Sequence, residues 1–126
     1  MTISEVLARV DRLKPNSIAK TDKVLWLSDC DTNIFKSIMR THAPDESTPD
    51  AFAGYDDSTS DDTVLLAEPP YDELYTHYLS MHIDMVNMEL NKYNNNAALY
   101  NGALMNYAGF YTRTHKPIHP VNSVKL

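Results

Sequence analysis

Between Thr41 and Asn91 the chain has no lysine or arginine, yet twelve of its seventeen acidic residues lie there, from Asp45 to Glu89. All eleven basic residues sit in the two flanks, and the net charge is −6. This balance argues against a general electrostatic grip on nucleic acid. The asymmetry predicts either a surface with an acidic and a more basic side, suited to head-to-tail or ring contacts, or a solvated acidic loop. A single cysteine, Cys30, excludes an intrachain disulfide framework. No apolar run approaches the roughly 18 residues of a membrane span, and no signal-peptide pattern is present. A soluble, non-membrane protein made in the cytoplasm is the expectation.

The motifs of common chemistries are missing as well. There is no glycine-rich phosphate loop, no CxxC, no HExxH and no nucleophile elbow. Asp56, Asp57, Asp61 and Asp62 offer oxygen ligands, but their spacing misses the EF-hand pattern and its glycine, so a solvated turn is expected. His115 and His119 straddle Pro117, so no helix presents them as a metal pair. Glu73 and His77 stand one turn apart on a polar helix side. His82 and Glu89 share a line about 10 Å long by helix rise, too far to touch each other. Second and third partners do not converge around any of these residues. No catalytic residue, metal site or cofactor is therefore expected, and the chain does not read as an enzyme.

What is present is helical periodicity in one domain of 126 residues. Tyr71 to Tyr93 carries two apolar stripes. Tyr75, Leu79, Ile83, Val86, Leu90 and Tyr93 form one; Leu74, Tyr78, Met81, Met85 and Met88 form the other. Together they span an arc of roughly 220°, far wider than the face of an ordinary surface helix. Such a helix needs cover on two sides. Leu99, Tyr100, Ala103, Leu104, Tyr107, Phe110 and Tyr111 on a second long helix supply one cover, with Lys92–Asn96 expected as the hinge. Leu79, Ile83, Val86, Leu104 and Tyr107 are the expected core. Ala98, Gly102, Met105 and Gly109 form a line almost free of bulk. Each glycine costs about 1 kcal/mol in a helix interior relative to alanine. The line therefore predicts a close backbone approach, within the hairpin or between subunits.

Ahead of this hairpin, Thr2-Ile3-Ser4-Glu5 reads as a capping box for a short helix with Ile3, Val6, Leu7, Val10 and Leu13 on one face, ended by Pro15. A second helix, capped by Ser17 or Thr21, runs to about Thr41 with Val24, Leu27, Ile34, Phe35, Ile38 and Met39 inward. Asp31 falls inside that face. Of three readings, that it caps a second helical segment after a break, that it bonds a neighbour's free backbone, or that it is less buried than the pattern implies, the first two together are expected. The acidic stretch of about residues 43–67 reads as a projecting loop or short β-hairpin arm, pairing 52–55 with 63–67. Phe52, Tyr55, Asp56, Asp57, Asp61 and Asp62 are its candidate subunit-contact residues. Residues 114–126 read as an extended tail, with Ile118, Val121, Val124 and Leu126 as candidate partner contacts. The whole is an all-α fold: a helical domain of residues 1–113 with its arm, and the tail.

Five stretches together resemble one family. They are Thr2-Ile3-Ser4-Glu5-Val6-Leu7, Lys23-Val24-Leu25-Trp26-Leu27, the run from Leu65 to Tyr75 (LLAEPPYDELY), Tyr93-Asn94-Asn95 and Tyr111-Thr112-Arg113-Thr114-His115. The chain is similar to the head–tail connector, or adaptor, proteins of tailed phages and prophages of Gram-positive bacteria, over nearly its whole length. The resemblance implies a structural virion protein at the head–tail junction, in a dodecameric ring under the portal protein. Stopper or tail-side proteins would lie beyond it, and DNA would pass through without specific binding. The residues alone leave two rivals: a small helical interaction or regulatory domain, and a metal-dependent helical-bundle enzyme.

Overall fold

A computed structural model describes residues 1–118. The chain is predominantly helical. α1 spans Ile3–Leu13, α2 Lys20–Ser37, α3 Glu73–Val86 and α4 Leu90–Thr114, with one 3₁₀ turn at Met39–Thr41 after α2. The α1 capping box forms in both directions: the Glu5 N–H donates to the Thr2 hydroxyl, and the Thr2 N–H to the Glu5 carboxylate. Ile3, Val6, Leu7 and Val10 are buried, whereas Leu13 at the end of the helix is exposed. α2 is one unbroken helix whose N-cap, Ala19, makes no side-chain bond. Neither Ser17 nor Thr21 caps it; the Thr21 hydroxyl donates instead to Asp57 across the interface with the acidic segment. The predicted inner face of α2 is buried throughout, joined by Cys30.

α3 and α4 run antiparallel. Tyr71 stacks on Phe110 at 4.6 Å, Tyr78 meets Tyr100 at 4.9 Å, and Asn96 donates to Asp84 at 2.7 Å. The residue numbers of these pairs change in opposite senses along the two helices. The turn between them is Asn87–Glu89, not Lys92–Asn96, which lies inside α4. Three bonds make this turn: Asn87 N–H to Ile83 C=O, Met88 N–H to Met85 C=O, and Glu89 N–H to Asp84 C=O. The last two form a Schellman motif, with Met88 at the left-handed position, φ +58°. A glycine usually fills that position, so the turn carries no glycine signal.

The early turn changes which residues are covered. Leu79, Ile83 and Tyr107 are buried as expected, and Leu104 is partly so. Val86 is 56% exposed and Leu90 60%, because α3 ends at Val86 and the turn carries Leu90 onto the start of α4.

The acidic segment also departs from expectation. Among the described residues there is no β-strand, and 52–55 does not pair with 63–67. Val64 instead makes an isolated antiparallel bridge with Thr2. Leu65 N–H donates to Met1 C=O and Ile3 N–H to Thr63 C=O, so residues 63–65 lie along the N-terminus. Tyr55, Leu65 and Ala67 are buried in the common core. The segment from Phe52 to Ala67 is thus laid on the body rather than projecting from it. Among the described residues no helix is long and apolar enough to cross a membrane.

Candidate interaction surfaces

Two buried carboxylates organise the molecule. Asp31, in the middle of α2, has no solvent exposure. Its carboxylate accepts the Tyr55 and Tyr75 hydroxyls at 2.5 Å each and the Leu66 N–H at 3.1 Å. The Tyr75 hydroxyl in turn accepts the Ala67 N–H at 2.7 Å. Of the readings for Asp31, the bond to free backbone is realised and the helix break is not. Desolvation pushes its carboxyl above the usual range, against the lowering effect of the two tyrosines. Both tyrosine hydroxyls are pushed well up by burial and by the adjacent carboxylate. They remain donors at ordinary pH.

Asp84 near the end of α3 is equally buried. It accepts Lys14 Nζ at 2.6 Å and Asn96 Nδ2 at 2.7 Å, tying the end of α1 to the hairpin. Sequence reasoning missed Asp84. The available signal was an acid three residues after Met81 and four before Met88 in one of the apolar stripes, as Asp31 is four after Leu27 and three before Ile34.

The candidate arm residues divide. Tyr55 lies inside its own chain and is unavailable to a neighbouring subunit, which corrects its expected role. Its burial follows from the Asp31 bond and from Gly54. There φ is +89°, and Ser28 Oγ lies 2.5 Å from where a Cβ would stand. Phe52 is half-buried against Phe35 and Tyr55. Asp56 closes its own turn by accepting from Ser58, Asp57 accepts from Thr21, and Asp61 pairs with Lys20 at 2.6 Å. Asp62 is exposed. Lys23 is buried and pairs with Asp11 of its own chain.

At the other end of the fold, His115 stacks flat on Tyr111 at 3.8 Å and donates to Asp45. Beyond it, Ala43 N–H donates to Lys116 C=O at 2.7 Å and Ile118 N–H to Thr41 C=O at 2.9 Å. Residues 116–118 are therefore strapped antiparallel onto 41–43. Ile118 is exposed beside a groove. Val121, Val124, Leu126 and His119 lie outside the described residues.

His77 and Glu73 line a shallow depression with Ala98, Leu99, Gly102 and Asn106. His82 is stacked on Trp26 at 5.0 Å and against Tyr78 at 4.6 Å, and burial lowers its pKa. Among the described residues no three of His, Cys, Asp and Glu converge as metal ligands.

The conspicuous surface is apolar. Around the α3–α4 turn, Met85, Val86, Met88 and Leu90 are exposed, Met88 to 83%. Lys14 bonds Asp84, so the exposed Leu13 stands at the same end of the molecule. Further along α4, Leu99 and Met105 are exposed on either side of Gly102. Among the described residues, no heavy atom beyond its chain neighbours and the helix's own backbone lies within 4 Å of where a side chain at Gly102 would begin. The packing of the described residues therefore gives no reason for that glycine. No family model, curated protein or solved structure matches this chain.

Proposed function

We propose that the chain is a head–tail connector of a tailed phage. Copies would form a dodecameric ring seated between a portal protein and the stopper or tail-side proteins, with DNA passing through unread. The observation that carries this reading is the apolar end of the hairpin. Leu13, Met85, Val86, Met88 and Leu90 leave a group of large apolar side chains in water, as interaction surfaces do. Two further observations support it. The Gly102 depression on α4 accommodates close approach of another backbone. The uneven charge suits a heterologous contact, in which one face of a subunit meets a different face of the next. The resemblance noted in the sequence names the assembly.

The test is reconstitution. Purified protein is mixed with DNA-filled heads that carry a portal and lack their connector, and the vertex is imaged by electron cryomicroscopy. Ring density beneath the portal is expected. A Val86→Asp, Leu90→Asp double variant, both positions being exposed, should keep its fold and lose the ring. Absence of the wild-type chain from the vertex would overturn the proposal. The Gly102 depression also favours a second reading, a small domain that binds one partner helix. A discrete one-to-one complex, with no ring on heads, would favour that reading.

A further inference from the structure

We infer that the outer face of α4 is a contact between two copies of this chain, laid antiparallel about a two-fold axis at Gly102. The inference concerns the free protein and does not depend on the connector reading. A two-fold contact closes on itself, so a subunit entering a ring would leave it.

Three observations lead there. The first is charge. α1, α2 and α3 each expose an acid, among them Glu5, Asp22 and Glu73, whereas α4 holds no acid and has no charged residue between Lys92 and Arg113. A helix face turned to water ordinarily carries charge. A chain of net charge −6 repels its own copy least where its acids are absent. The second is shape. Leu99 is 52% exposed and Met105 73%, on either side of Gly102. Gly102, Ala103 and Asn106 line a depression of about 270 Å³, walled by Glu73 and His77 of α3. The third is register. Leu99 and Asn106, seven apart, share one line of the helix, and Ala98 and Met105 share the next. Reversing a copy about Gly102 sets each line against itself. Leu99 then enters the other copy's depression at Asn106, and Met105 covers the other copy's Ala98, each contact being made twice. Antiparallel order also puts each helix N-terminus beside the other's C-terminus, where the helix dipoles attract. Asn91, Asn95 and Asn106 on this face both donate and accept, so their amides are complementary to a copy of the same face. A helix of 25 residues is about 37 Å long and about 10 Å across, so the contact is smaller than the roughly 800 Å² per partner of a standard interface, and the pair dissociates on dilution.

Electron spin resonance tests this in the intact chain at millimolar concentration. Nitroxides are placed on Asn94→Cys and, separately, on Asn101→Cys, both exposed at the edge of this face; Cys30 is buried and does not compete. With a rise of about 1.5 Å per residue, the two Asn101→Cys labels of a pair are offset by about 3 Å along the axis and the two Asn94→Cys labels by about 24 Å. Strong spectral broadening is expected for Asn101→Cys, and for Asn94→Cys a pulsed dipolar distance set by the longer offset. Both should fade on dilution. Adding Gly102→Glu should abolish both signals without lowering the unfolding midpoint, since glutamate favours helix more than glycine does and the space at Gly102 is open among the described residues. Met105→Glu, at an exposed position, should do the same. Absence of coupling at both sites would overturn the inference. So would any pattern in which Asn101→Cys is not the closer site, equal couplings meaning a parallel pair. Coupling that survives in either folded variant would overturn it too, by placing the contact elsewhere.

Discussion

Removing the Tyr75 hydroxyl should cost more than removing that of Tyr55, although both donate to the same carboxylate. In Tyr55→Phe, Asp31 loses one donor and keeps the Tyr75 hydroxyl and the Leu66 N–H. A hydrogen bond to a charged group contributes about 1.5–3 kcal/mol, which sets the expected loss. Tyr75→Phe removes an equivalent bond and also strips the Ala67 N–H of its acceptor. Ala67 is fully buried, so that N–H has no ready access to water. An unsatisfied buried donor adds roughly 1–3 kcal/mol. Tyr75→Phe should therefore be the less stable variant by roughly that second amount. Urea unfolding followed by circular dichroism measures both, and equal m-values would show that the comparison is of stability alone. In thermal unfolding the difference should appear as a gap of at least several degrees in midpoint. Equal losses, or a milder Tyr75→Phe, would refute the reasoning, because the two-sided use of the Tyr75 hydroxyl would then carry no energy.

Three further outcomes follow from the same geometry. Met88→Gly should stabilise the chain by about 1 kcal/mol, since it relieves a left-handed residue whose exposed side chain packs little; a lower unfolding midpoint would contradict the Schellman assignment. Leu79→Ala should cost about 2–5 kcal/mol, whereas Val86→Ala at its exposed position should stay within about 0.5 kcal/mol, and chemical denaturation of the pair checks the ordering. The folded-state pKa of Asp31 is raised, so the folded chain binds the proton more tightly than the unfolded one. Its contribution to stability therefore grows as pH falls from above its folded pKa toward the unfolded value of about 3.9. The stability gap between wild type and Asp31→Asn should widen over that fall, and a gap that narrows would reverse the sign assigned to Asp31.

Helices with strong caps and one continuous stripe were legible from residues alone. The Thr2–Glu5 box and the inner faces of α1 and α2 needed nothing beyond local hydrogen bonding and a period of 3.6. The hairpin turn was not legible, because a Schellman turn with methionine at its left-handed position leaves no mark in composition. Lys92–Asn96 drew attention by polarity, yet polar residues sit comfortably on the exposed side of a helix. The segment from Phe52 to Ala67 was misread for a related reason. Its acids describe its outer side, while its attachment depends on the Tyr55 hydroxyl and the Leu66 N–H meeting Asp31 of α2, on Gly54 and Tyr55 meeting Ser28, and on Leu65 and Ala67 entering the common core. Those contacts join residues 24 to 44 positions apart in sequence for the Tyr55 and Tyr75 hydroxyls. Local pattern does not report them. The Asp31 anomaly was the one visible sign that something polar had to arrive there.

This attachment makes the role of the segment's charge separable from its fold. Tyr55, Leu65 and Ala67 hold the segment by burial, and the acids contribute little to that. The Lys20–Asp61 pair is exposed on both sides, and such pairs contribute about 0–1 kcal/mol. Asp56 closes its turn through one oxygen that an asparagine also presents. Replacing Asp56, Asp57, Asp61 and Asp62 together with Asn should therefore leave the unfolding midpoint close to wild type. Any effect on assembly then belongs to charge. If the acids face the exposed Arg9 and Arg12 of a neighbouring copy, wild-type assembly should weaken as salt rises, because charges in water are screened within about 10 Å at 0.1 M salt. The four-Asn variant should assemble less well at low salt and lose that dependence. If the acids line a channel, the variant should assemble normally and alter DNA passage, read as infectivity of the assembled particles. Wild-type behaviour in both assays would leave the charge with no part in assembly or DNA passage, and the segment would be a solvated face anchored by its apolar residues.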